Sequence, residues 1–260
     1  MWKFSLLEIE YRLKHLSTYF VALIFMAIFF TYTNWLARPP ESLDYFAYIN
    51  SPISIFFTFR DMSFILTPIL SYFIFCMFHR VKVNGFQEIL FSQPLKRTSY
   101  IFGSFLGITI ILLFFLIIGI IISSRLNPMI DRMLFMQDKF VWYLRPMLII
   151  TLPNIYILGS LFISVAVFAK KASSIFIFLF GIVILRIVLF FILHESVINY
   201  VFLDPFCSAI INLELSDLPW GEVNTKTIEF NSLMLYNRLF WISLSSIIAF
   251  IAMRYMRKHD

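Results

Sequence analysis

No GxxxxGK[ST] sequence occurs in the 260 residues, and the seven glycines are scattered, none in a cluster that would cradle a phosphate. The chain is therefore not expected to hydrolyse ATP by itself. Zinc-hydrolase chemistry is missing as well. His194-Glu195 begins like HExxH, but Ile198 stands where the second histidine would be. The four histidines, at positions 15, 79, 194 and 259, show no ligand spacing, so no metal site is expected. Two cysteines exclude a multi-bridge disulfide framework, and Cys76 and Cys207 fall in distant parts of the chain. Charge is scarce too, at 14% of residues. An intramembrane enzyme would need carboxylates, histidines or a Ser/Lys pair facing one another at depth, and no catalytic constellation is found.

Apolar residues fill the space. They make up 60% of the chain, Phe alone occurs 33 times, and the mean hydropathy is +0.86. These values exclude an ordinary soluble domain and predict an all-α polytopic membrane protein. The net charge of +6 comes from basic residues at the ends of apolar runs. It points to lipid head groups and membrane orientation and not to nucleic acid.

Six spans are predicted, over about residues 17–36, 53–79, 98–123, 146–169, 174–193 and 238–253; a helix rising ~1.5 Å per residue needs about 20 residues to cross ~30 Å of hydrocarbon. Residues 1–16 read as an amphipathic helix, with Trp2, Leu6, Ile9, Leu13 and Leu16 at intervals of four and three, and Lys3, Glu8, Arg12 and His15 elsewhere around it. Glu10 and Lys14 add a pair one turn apart. This segment is either an interfacial elbow helix or an extension of the first span. The 194–237 segment, whose apolar stretches are too short to span, suits a re-entrant or surface-lying hairpin. With both termini cytoplasmic, Lys and Arg number ~12 on the inner side and ~8 on the outer, in line with the positive-inside rule.

Polar residues inside spans are few, and each has two readings. Arg60 and Asp61 form either a gate pair or a locally neutralised interfacial pair. Asn154 either lines a path or bonds a neighbouring helix. Arg186, mid-span, must face protein, water or a carboxylate, unless its span is shorter and tilted. Gly103 and Gly107 make a GxxxG pattern that permits close helix approach.

The 80–97 loop carries a charged cluster at each end and an amphipathic piece between them. Gly85 breaks the chain, and Phe86 to Ser92 form about two helical turns with Phe86, Ile89 and Leu90 on one face and Gln87 and Glu88 on another. Pro94 ends the piece, Lys96 and Arg97 mark a membrane boundary, and Thr98 is the expected N-cap of the next span. The order Gly85, Glu88-Ile89-Leu90, Ser92, Pro94-Leu95, Arg97, Tyr100-Ile101, Gly103, Gly107 resembles the cytoplasmic loop of type-2 ABC transporter permeases. The resemblance implies that 80–97 holds the coupling helix that docks on an ATPase subunit, through Gly85, Phe86, Glu88, Ile89, Leu90, Pro94 and Arg97. It implies a permease domain over residues 1–260 in the bacterial inner membrane, with a second permease copy or a homologous half. No cofactor is expected on this chain, with ATP and Mg²⁺ held by the partner ATPase.

Further stretches are Asn50-Ser51-Pro52, Leu152-Pro153-Asn154, Asp204-Pro205-Phe206, Asn231, Leu235 and Asn237-Arg238-Leu239-Phe240-Trp241. Their order resembles bacterial type-2 permeases fused to, or encoded with, a zinc aminopeptidase-like domain. Larger members carry two membrane halves and the peptidase domain, and this chain matches only the first half. The expected function is a transport subunit. The alternative is a mechanotransmitting or scaffolding subunit that passes ATPase motion to an outer-side partner, suggested by the long 194–237 segment.

Overall fold

The structure is a computed structural model that describes residues 2–36, 51–83, 97–130, 140–169, 171–192, 202–211, 222, 225–227 and 229–259. Among the described residues eight α-helices follow one another: α1 (Trp2–Lys14), α2 (Leu16–Leu36), α3 (Pro52–Val83), α4 (Arg97–Ile130), α5 (Phe140–Pro146), α6 (Leu152–Phe168), α7 (Ser174–Ile192) and α8 (Ser232–His259). No strand occurs among the described residues. A π-helical turn, Met147–Thr151, joins α5 to α6 without a break in the helix. Its wider winding relieves the clash that the Pro153 ring would make with the carbonyl four residues back.

Among the described residues five stretches are long and apolar enough to cross a membrane: Leu16–Thr33, Pro52–Val81, Arg97–Ile122, Val141–Phe168 and Ser232–Met256. Six were expected. The apolar part of α7, Ser174–Leu189, is shorter than the other five. Helix ends also move outward from the expected limits. The last span begins at Ser232 and not near Arg238, because the Asn231 side chain accepts the Met234 N–H at 2.8 Å and caps the helix there. Thr98, expected as a cap, lies inside α4.

Helix α3 is the central element and touches α2, α4, α5, α6 and α7. Phe59, Met62, Leu66, Leu70, Phe73 and Met77, spaced three or four apart, are all buried along one seam of it. Helix α8 packs mainly along α6, and α1 along α4. Large apolar side chains also face outward, among them Leu23 on α2, Phe180 on α7 and Phe250 on α8. Outward apolar faces and inward packing of aromatic and aliphatic side chains are what a bundle in lipid requires. A second, smaller core of Ile53, Phe56, Ile150, Cys207, Ile210, Ile211 and Met234 closes the end of the bundle that holds residues 202–211.

Helix α1 has the two unlike faces expected of it. It is separated from α2 by a break at His15, so it is a distinct helix rather than an extension. The side packed on the bundle is the polar one, Ser5, Glu8 and Arg12, while Trp2, Leu6 and Leu13 are exposed. Close approach to α4 explains the choice of face. A Cβ at Gly107 would lie 2.7 Å from the Ser5 carbonyl oxygen and 3.0 Å from Glu8 Cβ. Only a glycine admits the α1 backbone at that distance. Gly103, one turn earlier, is buried as well.

Candidate functional site

Two polar clusters interrupt the apolar packing, one at each end of α3. The first joins α1 to α3 and α4. Glu8 is 1% exposed. Its Oε1 accepts from Arg12 Nε at 2.9 Å and its Oε2 from Arg80 Nη2 at 2.5 Å. Arg80 Nη2 also donates to the Tyr100 hydroxyl at 2.9 Å, and Arg12 Nη2 donates to the Phe73 carbonyl at 2.8 Å. Aromatic faces cover the two cations: Arg80 sits 4.0 Å from the Tyr11 ring centroid and Arg12 sits 4.5 Å from that of Phe73. Phe4 meets Tyr100 edge to face at 5.6 Å. One carboxylate thus holds two guanidinium groups in a dry site, where removing the acid would strand both charges.

Position gives this cluster its importance. Arg80 lies just before residues 84–96 and Tyr100 just after them. Glu8 therefore holds the first stem to α1 through Arg80, and Arg80 ties that stem to Tyr100 on the second. Of the expected coupling residues, Gly85, Phe86, Glu88, Ile89, Leu90 and Pro94 lie outside the described residues, and Arg97 opens α4. The Glu10–Lys14 pair forms too, at 2.5 Å, but on the exposed side of α1. There the Lys14 hydrogen bond and charge hold the Glu10 carboxyl below the usual carboxylate range.

The second cluster is a polar seam at the opposite end. Asp61 accepts two bonds from its neighbour, Arg60 Nε and Nη2, each at 2.8 Å. It accepts a third from Arg186 Nη2 at 3.1 Å and a fourth from the Tyr32 hydroxyl. Arg186 Nη1 continues to Ser208 Oγ at 3.1 Å, and its guanidinium lies over Phe64 at 4.5 Å and Phe206 at 5.0 Å. The seam resumes in the 202–211 segment. Both Asp204 carboxylate oxygens accept backbone N–H groups, Phe206 and Ala209, at 2.9 Å. The Asp204 carbonyl accepts Asn237 Nδ2 at 3.0 Å. Arg238 Nη1 then donates to Asn154 Oδ1 at 2.7 Å and to the Pro205 carbonyl at 3.1 Å. Within this segment Cys207 adopts a φ of 63°, a left-handed conformation uncommon for a side chain with a Cβ, and its N–H closes the turn on the Asp204 carbonyl.

All four polar residues expected inside spans belong to this seam. Arg60, Asp61 and Arg186 meet in one ion cluster, so the carboxylate facing Arg186 is that of Asp61. Asn154 sits apart from them and bonds α8 through Arg238. Sequence reading missed Tyr32, Asp204 and Arg238 as seam members, and Glu8, Arg12 and Arg80 as a unit. Only the spacing of Glu8 and Arg12, one turn apart, offered a local signal. The other links join residues 61 or more apart for Arg12 and Arg80 to their far partners, Phe73 and Glu8. Among the described residues no group of three or more His, Cys, Asp or Glu is placed to hold a metal ion.

No family model matches the chain, and no curated protein matches it.

Proposed function

We propose that the chain is the membrane-spanning subunit of an ATP-driven transporter of the type-2 ABC permease kind. In this reading it has six spans, with α7 as the sixth. Helix α1 is the elbow at the cytoplasmic interface, its exposed Trp2, Leu6 and Leu13 in the lipid boundary. Residues 80–97 form the cytoplasmic coupling loop, both termini are cytoplasmic, and the membrane is the bacterial inner one. A separate ATPase binds ATP and Mg²⁺, and a second copy or a homologous half completes the permease.

The observation that carries the reading is the bridge Glu8–Arg80–Tyr100, which joins the two stems of the 84–96 stretch to each other and to α1. A push delivered to that stretch is then borne by α1, α3 and α4 together and is not absorbed by a loose loop. Its energy comes from the ATPase binding ATP with different affinity in two conformations, since this chain supplies no chemistry of its own. Helix α3 carries the displacement to the Asp61 cluster, which touches α2 and α7.

A second reading has one specific observation in its favour. The 202–211 segment is bonded to α7 through Ser208, to α8 through Asn237 and Arg238, and by way of Arg238 to Asn154 on α6. Motion of the bundle would therefore reach an outer-side partner seated on that segment, without movement of a cargo.

Co-purification tests the shared premise. An ATPase subunit should accompany the wild-type chain from its host and be lost with Glu88→Arg, which reverses a charge in the docking piece. Absence of any ATPase from the wild-type preparation contradicts both readings.

A further inference from the structure

We propose that the cleft between α3 and α5 holds one molecule of an anionic phospholipid, with its phosphate on Arg145 and the upper part of one acyl chain against Phe56 and Trp142. The inference stands apart from the transport reading and needs only that the bundle sits in a bilayer.

The cleft follows from the spacing of residues on two helices. Val141 and Arg145, and likewise Trp142 and Pro146, are four apart, which sets them on one side of α5. Pro52 and Phe56, also four apart, line the cleft from the start of α3. Thr227 completes the lining, and the space enclosed is about 220 Å³. Phe56 is 3% exposed and belongs to the small core at the 202–211 end, so the cleft has an apolar floor. An apolar cavity of about 150 Å³ holds a benzene ring, so this one takes a short length of acyl chain and not a whole lipid. The rest of the molecule then lies outside the cleft, on the side where Val141 is 63% exposed.

Charge and position select the occupant. Arg12, Arg60, Arg80, Arg186 and Arg238 each donate to an acceptor inside the bundle. Arg145 is half-buried on the cleft and, among the described residues, forms no hydrogen bond or ion pair. A guanidinium on the wall of a mostly apolar cleft matches an anion that carries hydrocarbon, and Thr227 adds a hydroxyl. Two candidate spans, Pro52–Val81 and Val141–Phe168, begin at this cleft, which sets it at the depth of the head groups. Arg145 beside Trp142 at that depth suits a lipid phosphate and the top of its chain. A soluble anion would gain the charge contact but leave the apolar walls wet. A zwitterionic head group would bring its own cation towards Arg145 and is the weaker match.

The test uses the full chain, purified in detergent, with its thermal midpoint read against added phosphatidylglycerol, phosphatidylcholine or glycerol phosphate at equal ionic strength. The midpoint should rise in a saturable way with phosphatidylglycerol and need about tenfold more phosphatidylcholine for the same rise. Glycerol phosphate, which has the phosphate and no chain, should leave it unchanged. Arg145→Gln should raise the half-saturating phosphatidylglycerol about tenfold. Arg254→Gln, which removes an exposed cation far along α8, should not move it. Should Arg145→Gln not fold, fluorescence quenching in vesicles decides. Phosphatidylglycerol brominated high on its chains should quench the wild-type chain more than phosphatidylcholine brominated in the same place, and Trp142→Phe should remove that excess. An equal response to the two lipids, or a rise with glycerol phosphate matching that with phosphatidylglycerol, would overturn the proposal. So would a half-saturation unmoved by Arg145→Gln or moved as far by Arg254→Gln, or an excess quenching that survives Trp142→Phe.

Discussion

At the scale of single residues, two carboxylates, Glu8 and Asp61, each accept from two arginines, and removing either leaves a buried charge uncompensated. Glu8 is fully buried, so Glu8→Gln leaves Arg12 and Arg80 without a counter-charge and should destabilise the chain by about 3 kcal/mol or more. Glu10→Gln, one turn-face away on an exposed pair, should leave stability unchanged. Denaturant unfolding of both variants in detergent checks the contrast. Asp61→Asn takes from Arg186 the carboxylate it meets among the described residues. Its cost should fall below the ~3–5 kcal/mol of a fully dry pair, because the Asp61 side chain keeps 19% exposure. The local patterns of the sequence located Arg60, Asp61 and Arg186 because each is a charge inside an apolar run. They did not locate Glu8 or Arg12, because those residues lie in a segment where charge is ordinary. What makes them matter is a contact with Phe73 and Arg80, far away in the chain.

At the scale of elements, α3 and α1 mark the limits of reading by periodicity. The buried seam of α3 follows the three-and-four spacing of its large apolar side chains, and the helix was placed correctly to within a few residues. In α1 the same spacing separated apolar from polar residues, yet the polar side faces the protein. A helical pattern shows that two faces differ, and lipid and protein compete for the apolar one. The tie was broken by Gly107, a residue in another helix. Gly107→Ala should force α1 away from α4, since its Cβ would meet the Ser5 carbonyl backbone at 2.7 Å. A loss of about 1–3 kcal/mol is expected, together with weaker protection of the α1 amides in hydrogen exchange. Protection equal to the wild type would show that the two helices do not depend on that contact. The GxxxG pattern thus pointed to a close approach, but its partner could not be read from the spacing.

At the scale of the whole molecule, the all-helical class was legible from composition, and among the described residues five helical stretches are long and apolar enough to cross a membrane, where six spans were expected. The arrangement of the polar residues was not legible, because it depends on which helices are neighbours. Their arrangement suggests how a push at one end of α3 reaches the other: the bridge Glu8–Arg80–Tyr100 joins the stems of the 84–96 stretch, α3 spans the bundle, and Asp61 links α2 to α7 through Tyr32 and Arg186. The most direct measurement is the distance between spin labels at Leu23 on α2 and Phe180 on α7, both outward-facing, in the complex with the proposed ATPase. The account predicts a distance that changes on ATP binding in the wild type and is unresponsive in Glu8→Gln, with the ATPase still bound to both. A wild-type distance indifferent to ATP, or an equal change in Glu8→Gln, would contradict it.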